Sequence, residues 1–326
     1  QVTSRIFSQE ALIALHAEFE VVDLEVNPSD ELFQAALPRA IAIVGQPDLN
    51  SETLERATSL RAIMNVEGNF FPNVDYATAF RNGVRVLGCG TAYSQAVAEY
   101  SLGLALDLAR GISREDRAAR RGNERYVSAS NADAILLRKA KVGIIGYGNL
   151  GKSFHRLLEP FNNEIRVFDP WIPEAVLEDS NVIPASLDET LAESQFVFVF
   201  ATSTAESEHL LNESNLKLLR DGTRLILVSR AAVVDYDALL PHLTSGRILA
   251  GIDVWPQEPL PTNSPFRQVE SVVLSAHRAG GIPQAFYSIG EMVLDDLRQV
   301  ARGLPPIRMQ SAAPELVTRY RNKPVF

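Results

Sequence analysis

An arginine, a glutamate and a histidine each follow an apolar run in the second half of the chain. Arg230 ends "LILVSR", Glu258 lies just beyond "GIDV", and His277 ends "VVLSAH". A guanidinium can hold a carboxylate through two hydrogen bonds, and a carboxylate beside an imidazole orients the ring and favours its protonated form. Together they could bind an organic acid and move a proton. Taken singly, they could equally be a surface arginine, a turn carboxylate and a strand-end histidine.

The apolar runs before these residues read as strands of one buried sheet. They are continuous rather than alternating, as in strands covered on both faces, and they span 141–146, 164–169, 196–201, 224–229, 248–254 and 271–276. Helical stretches lie between several of them, and one opens with a capping box, Ser186 and Glu189. This repetition predicts a parallel sheet with helices on both faces. Such sheets bind ligands at the carboxyl ends of their strands, where the three polar residues are placed.

A glycine-rich turn, "GYGNLG", directly follows the run 141–146 and opens a helical stretch. Gly146 permits a tight turn, Gly148 lets the backbone approach a pyrophosphate, and Gly151 lets the helix pack close to the strand. The free N–H groups around Asn149 and Leu150 would then face the negative charge.

Asp169 ends the next apolar run, where a carboxylate can accept hydrogen bonds from the adenosine ribose hydroxyls and would repel the 2′-phosphate of NADP. We therefore predict NAD as the cofactor. The residues assigned to it from the turn and the acid are Gly146, Gly148, Asn149, Leu150, Gly151 and Asp169.

The first half of the chain reads as a second, smaller α/β unit with weaker strands. We predict these strands at 19–26, 40–45, 61–66 and 84–88, followed by a long helix at 94–110. A basic, polar segment without apolar periodicity follows at 111–135, and it reads either as a solvated linker or as a subunit contact.

Composition excludes some classes of function. The net charge of -9 over 326 residues argues against nucleic acid as a partner. Cys89 is the single cysteine and reads as a packed small residue, which fits a reducing, cytoplasmic setting. We expect no membrane segment, because no run reaches the roughly twenty apolar residues that a bilayer requires. We also expect no metal site.

The motifs together resemble the D-isomer-specific 2-hydroxyacid dehydrogenases, the family that includes phosphoglycerate and hydroxypyruvate dehydrogenases. "VSRAAVVDYDALLPHLTSGRILAGIDVWPQEPLP", "VVLSAHRAGG", "NVDYATAFRNGVRVL", "QAVAEYSLGLALDLAR" and "VGIIGYGNLG" occur in the family's order and spacing. The resemblance implies a Rossmann-type NAD-binding domain and a flavodoxin-like substrate domain with a cleft between them. We expect the NAD-binding domain at 111–286, including a connecting or dimerisation segment at 111–135. The substrate domain would be discontinuous, at 1–110 and 287–326, and the protein a homodimer.

Carried over by position, the resemblance also implies roles in hydride transfer between nicotinamide and C2 of a small 2-hydroxy or 2-keto acid of the D series. Arg230 would bind the substrate carboxylate and the reacting oxygen, His277 would be the acid/base, and Glu258 would orient His277. Asp253 would hold the nicotinamide carboxamide, and Thr202, Val228 and Ser229 would also bind the cofactor. The backbone expected to cradle the substrate carboxylate from the other domain is that of Gly68, Asn69 and Phe70.

The sequence departs from the family's usual pattern at positions that affect specificity. "GNFFPNVD" places Phe70 and Phe71 where small or acidic residues are common, and we consider one of them as an apolar wall for the substrate side chain. Arg278, after the histidine, reads as a surface residue or a contact to a second anionic group. The loop "QPDLNSE" offers no arginine for a phosphate, which argues against a phosphoglycerate substrate.

Two other functions remain open at this point. Some relatives are NAD(H)-responsive corepressors that keep the fold, and the basic stretch 114–125 would suit a protein partner. The same scaffold also supports oxidation of a phosphonate or phosphite.

Overall fold

The computed structural model describes residues 3–24, 31–127 and 131–320. The chain divides into two compact units. One contains Gln1–Tyr93 and Gly281–Phe326, and the other contains Ser94–Gly280. The first unit is therefore discontinuous in sequence.

The second unit is built on a seven-stranded, fully parallel sheet. Its strands are β4 (Lys141–Ile145), β5 (Glu164–Phe168), β6 (Ile183–Pro184), β7 (Phe196–Val199), β8 (Arg224–Leu227), β9 (Leu249–Ile252) and β10 (Val272–Leu274). The strand order is β10-β9-β8-β7-β4-β5-β6. Strand β4 pairs with β5 on one side and with β7 on the other. The strand order therefore changes direction beside β4, which makes this position the topological switch point of the sheet. In open α/β sheets this is the point at which ligands bind.

Helices cover both faces of this sheet. They are α6 (Ser94–Arg110), α7 (Ile112–Arg120), α8 (Asn149–Leu158), α9 (Glu174–Glu178), α10 (Leu187–Glu193), α11 (Glu213–Leu216) and α12 (Tyr236–Thr244). On one face, Phe154 of α8 packs against Phe198 of β7 with the rings tilted and their centroids 4.1 Å apart. On the other face, aliphatic side chains of β7, β8 and β9 form one core with α12. Burial of both faces explains why the strands read as continuous apolar runs.

The long helix α6 belongs to the second unit, whereas the sequence analysis places 94–110 in the first domain. Its buried face points at β8, β9 and α8. A Cβ added at Gly251 of β9 would lie only 3.2 Å from Cβ of Leu104, so a glycine at this position allows the close approach. The apolar periodicity of α6 is the same whichever sheet it covers, and the sequence therefore could not assign it to a unit.

The first unit has a four-stranded sheet in the order β1-β2-β3-β11. Its strands are β1 (Ala42–Val44), β2 (Ala62–Asn65), β3 (Arg85–Gly88) and β11 (Gln310–Ser311), of which β11 alone runs antiparallel to its neighbour. Its helices are α1 (Thr3–Ile6), α2 (Gln9–Glu18), α3 (Glu31–Ala36), α4 (Ser51–Arg56), α5 (Tyr76–Arg81), α13 (Pro283–Ala301) and α14 (Pro314–Val317). The last long helix, α13, packs in this unit against α1 and α2.

Two sequence predictions about local structure differ from the fold. The strand predicted at 19–26 is absent over residues 19–24, and the remainder lies outside the described residues. Apolar residues there serve as packing for the core beside α2 without pairing to a neighbouring strand. The basic segment contains helix α7 rather than only irregular chain, although residues 128–130 of that segment are outside the described part. Helix α7 buries none of its residues, which is why it shows no apolar periodicity.

Within the described residues, no helix is both long and apolar enough to cross a membrane.

Candidate active site

The glycine-rich turn lies between β4 and α8 at the carboxyl edge of the seven-stranded sheet. Gly146 has φ +91°, and a Cβ at this position would lie 2.7 Å from the main-chain nitrogen of Ala201. A Cβ at Gly151 would lie 2.5 Å from the carbonyl oxygen of Gly146. Both positions therefore require glycine for the turn itself. By contrast, a Cβ at Gly148 would have open space around it, with no heavy atom within 4 Å.

Gly148 is also the N-cap of α8, so it has no side chain to cap the first-turn N–H groups. Asn149 and Leu150 begin this helix, as the sequence predicts for a phosphate-binding turn. The open space at Gly148 and the adjoining helix start suit the approach of a pyrophosphate.

Asp169 directly follows β5 and is joined to the glycine-rich turn. Its Oδ2 accepts a hydrogen bond from the main-chain N–H of Tyr147 at 2.7 Å, and its Oδ1 accepts one from the N–H of Trp171 at 3.0 Å. An ionised carboxylate has about four acceptor positions, so lone pairs remain for ribose hydroxyls. The turn and the acid thus fit a dinucleotide with an unphosphorylated 2′-hydroxyl.

The structure brings Glu258 and His277 together. Glu258 Oε2 lies 2.7 Å from His277 Nδ1, and Glu258 Oε1 accepts the main-chain N–H of Trp255 at 2.9 Å. Both side chains remain partly exposed, at 26% for the histidine and 30% for the glutamate. The carboxylate is therefore held at both oxygens, and the other ring nitrogen, Nε2, is the one left for a substrate.

Asp253 directly follows β9 and is fully buried. Its carboxylate accepts hydrogen bonds from the hydroxyl of Ser275 and from the main-chain N–H groups of Arg278 and Ala279, and its carbonyl oxygen accepts the N–H of His277. The predicted contact from Asp253 to a nicotinamide carboxamide stays a prediction, whereas its contacts to the loop around His277 are explicit.

Arg230 follows β8, the strand beside β9, so it lies at the same edge of the same sheet as Asp253. Its backbone is extended, and its Nη1 donates to the carbonyl oxygen of Ser229 at 2.7 Å. The other residues assigned to the cofactor also lie at this edge. Val228 and Ser229 come directly after β8 and are buried, and Thr202 follows β7.

The predicted substrate residues Gly68, Asn69 and Phe70 follow β2 in the first unit. A Cβ at Gly68 would lie 3.1 Å from the ring of Tyr93. The ring of Phe70 is buried in the core of that unit, 5.9 Å from the ring of Tyr320, and Phe71 is buried as well. The hypothesis that one of these rings forms an apolar wall for the substrate side chain stays a prediction. Arg278 is exposed.

Two aromatic residues that were not predicted from the sequence hold the segment that carries Glu258 in place. Trp255 supplies its N–H to that carboxylate, and its indole donates to the carbonyl oxygen of Ser275 at 2.8 Å. Tyr236 packs against Trp255 with the rings tilted and their centroids 5.9 Å apart, and it donates its hydroxyl to the carbonyl oxygen of Val254. Burial raises the pKa of Tyr236, and the charges of Glu258 and Asp253 raise it further. The position of Trp255 in "DVWPQEP", three residues before Glu258, is the sequence feature that could have predicted its role.

Among the described residues, no group of three or more histidine, cysteine, aspartate or glutamate side chains is arranged to hold a metal ion.

Residues 102–279 match the family described as D-isomer specific 2-hydroxyacid dehydrogenase, NAD binding domain. The chain belongs to the D-isomer-specific 2-hydroxyacid dehydrogenases. The matched range contains the glycine-rich turn, Asp169, Arg230 and the Glu258–His277 pair, and the cofactor of this domain is NAD.

The relatives of this chain are named for different substrates. A glyoxylate reductase of Thermofilum pendens is 30% identical over 264 residues, which are 79% of this chain and 77% of that protein. A D-3-phosphoglycerate dehydrogenase of Archaeoglobus fulgidus is 26% identical over 91% of this chain. The aligned region is 56% of that protein, so the chain spans little more than half of its length.

The fold is shared with solved structures of the family. A phosphoglycerate oxidoreductase from Rhizobium etli superposes with a TM-score of 0.87, at 44% sequence identity and with 95% of each chain covered. The mixed α/β architecture with a Rossmann NAD-binding domain, predicted from the sequence, is thereby confirmed.

Proposed function

We propose that this protein is an NAD-dependent oxidoreductase that interconverts a small D-2-hydroxy acid and its 2-keto acid, with His277 as the acid/base. The observation that carries the proposal is the 2.7 Å contact between Glu258 Oε2 and His277 Nδ1 in the family's NAD-binding domain. An imidazole paired with a carboxylate, at the ligand-binding edge of a nucleotide-binding sheet, is the arrangement that a proton transfer to a bound acid requires.

The tautomer of His277 follows from its partner. A carboxylate can only accept, so the pairing places a proton on Nδ1 and directs it to Glu258. In the protonated ring, Nε2–H would donate to the carbonyl oxygen of the keto acid, and in the reverse reaction neutral Nε2 would take the hydroxyl proton. Glu258 stabilises the charged ring during this exchange, and the N–H of Trp255 keeps the carboxylate in place.

Arg230 would bind the substrate carboxylate. Its guanidinium is always charged and offers donors in a planar fork, of which Nη1 is used by the carbonyl oxygen of Ser229. We also assign the backbone of Gly68, Asn69 and Phe70, in the other unit, to the substrate carboxylate, as the family resemblance implies.

NAD(H), when bound, supplies or accepts the hydride at C2 of the substrate. The chain's own part is to hold the nucleotide: Gly148 gives the pyrophosphate room, and Asp169 offers acceptors to the ribose hydroxyls. The space at Gly148 lies beside the N-terminus of α8, where main-chain N–H groups favour negative charge.

The substrate is expected to be a 2-keto acid without a phosphate group. The loop after β1 carries no arginine or lysine between residues 46 and 52, so it offers no cation to a phosphate. The relatives include proteins named for an acid without a phosphate group, glyoxylate, and for one with a phosphate group, phosphoglycerate.

The test is consumption of NADH, followed by nicotinamide absorbance, against glyoxylate, hydroxypyruvate, pyruvate, phenylpyruvate, 2-ketoisocaproate, 2-ketogluconate and oxaloacetate, with NADPH run in parallel. We expect turnover of at least one acid, with NADH preferred. Tight NADH binding without turnover of any acid would instead favour a binding protein or a phosphonate- or phosphite-type substrate.

We further propose a homodimer that uses the segment 111–135. Its helix α7 carries Arg114, Arg117 and Arg120 and buries none of its own residues in the single chain. Light scattering of the purified protein and of a variant with charge reversals on α7 would test this.

A further inference from the structure

The loop that carries His277 is anchored on one buried carboxylate. Asp253 is fully buried, yet its two oxygens accept hydrogen bonds from the main-chain N–H groups of Arg278 at 2.8 Å and Ala279 at 2.9 Å. The N–H of His277 donates to the carbonyl oxygen of the same aspartate, also at 2.8 Å. Three successive residues are thus tied to Asp253.

His277 needs such an anchor because its backbone is left-handed, with φ +52°. Residues other than glycine adopt this conformation only rarely, and it persists only where surrounding contacts determine it. The direction of the imidazole therefore depends on how firmly Asp253 holds the two following N–H groups.

Asp253 is in turn connected to helix α6 through a chain of hydroxyls. The hydroxyl of Ser275 donates to Asp253 Oδ1 at 2.5 Å, and the hydroxyl of Tyr100 lies 2.5 Å from Ser275 Oγ. The carboxylate can only accept, so the single proton of Ser275 is committed to Asp253. Tyr100 must then donate to Ser275, and the order of donation runs from Tyr100 to Ser275 to Asp253.

We infer that Tyr100 and Ser275 are positioning residues for His277, acting through the carboxylate of Asp253. Two hydroxyls in series polarise each other in a low-dielectric setting and strengthen the bond to the carboxylate. Tyr100 would therefore act on the loop of His277 through Ser275 and Asp253. The kinetic consequence rests on the proposed function of His277 as the acid/base.

Tyr100→Phe removes one oxygen and leaves the ring, so it is the sharpest variant. We expect kcat for the preferred keto acid to fall about tenfold, while the KM of that acid stays within about twofold, because the defect concerns the geometry of His277 in proton transfer. Ser275→Ala is expected to have a larger effect on kcat, and Ser275→Thr, which keeps the hydroxyl, to restore most of it.

The double variant Tyr100→Phe/Ser275→Ala tests whether Tyr100 and Ser275 act on Asp253 in series or independently. If Tyr100 acts through Ser275, the double variant has the same kcat as Ser275→Ala alone. A loss of kcat in the double variant equal to the product of the two single losses would overturn the inference. Ser101→Ala is the matched control, since this neighbour on α6 donates its hydroxyl only to the carbonyl oxygen of Val97 in its own helix. It should leave kcat unchanged.

A second readout does not depend on catalysis. Amide hydrogen exchange, followed by mass spectrometry, should be faster in the peptide that covers Arg278 and Ala279 in both Tyr100→Phe and Ser275→Ala than in wild type or Ser101→Ala. Unchanged exchange in both variants would overturn the inference even if kcat fell. Absence of turnover in the wild type would contradict the proposed function, while the exchange rates would still decide the role of Tyr100 and Ser275.

Discussion

The carboxylate of Asp169 and the main-chain N–H of Tyr147 are joined by a hydrogen bond of 2.7 Å, which ties the end of β5 to the glycine-rich turn after β4. One residue therefore shapes the glycine-rich turn and would also present acceptors to the ribose of a bound nucleotide. The link explains why the turn and the acid, separated in sequence, can act as one nucleotide site.

Asp169→Ala is expected to weaken NADH binding and to narrow the preference for NADH over NADPH. The variant loses the ribose acceptors and the repulsion toward a 2′-phosphate, and hydrogen bonds of this charge-assisted kind contribute about 1.5–3 kcal/mol each. Fluorescence titration with both cofactors measures the two Kd values. An unchanged ratio of the two would contradict the assignment of Asp169.

Gly148→Ala and Gly146→Ala are expected to separate cofactor binding from folding. A Cβ at Gly148 meets nothing in the protein, so that variant should unfold at the wild-type temperature yet bind NADH poorly, because the methyl group occupies the space of the pyrophosphate. A Cβ at Gly146 would press on the backbone at Ala201, so that variant should be destabilised by about 1–3 kcal/mol. Thermal unfolding beside NADH titration tests both, and wild-type NADH affinity in Gly148→Ala would count against the turn as the pyrophosphate site.

The NAD-binding unit was largely predictable because its apolar runs, its glycine-rich turn and the position of Asp169 all indicate the same fold. The six predicted runs 141–146, 164–169, 196–201, 224–229, 248–254 and 271–276 all contain strands, since strands buried on both faces must be continuously apolar. The turn and Asp169 also follow their strands as predicted. The two-residue strand β6 has no such signal, because it lies at the sheet edge with Ile183 exposed.

The first unit was harder to predict because its elements are short and depend on distant parts of the chain. The antiparallel strand β11 consists of Gln310 and Ser311, which show no apolar pattern and pair with β3 from far along the sequence. The same limit applies to Asp253: its role in fixing the loop of His277 depends on hydrogen bonds between neighbouring strands, which a motif cannot show.

Gly290→Ala and Gly103→Ala are expected to change stability in opposite directions, although both lie inside helices. A Cβ at Gly290 of α13 would lie 2.3 Å from the carbonyl oxygen of Ile6, so overpacking should lower the free energy of unfolding by about 1–3 kcal/mol. A Cβ at Gly103 of α6 meets no atom within 4 Å, so alanine should raise that free energy by about 0.5–1 kcal/mol. Urea unfolding curves compare the two, and destabilisation by Gly103→Ala would show that the space beside α6 is filled.

Cys89 is expected to be inert in the folded protein. It is fully buried in the core of the first unit, and burial raises the pKa of its thiol to about 12, so hardly any thiolate is present at pH 8. Ellman's reagent should detect no thiol under native conditions and one thiol per chain in denaturant. Rapid native labelling would contradict this packing.

The acid/base role of His277 is tested most directly by measuring the steady-state kinetics and the NADH affinity of His277→Ala. We predict that kcat for the preferred keto acid falls about 10²–10⁴-fold, while the Kd of NADH stays within about twofold, because the imidazole contributes proton transfer and not nucleotide binding. A variant that turns over the acid at the wild-type rate would contradict His277 as the acid/base and with it the proposed mechanism.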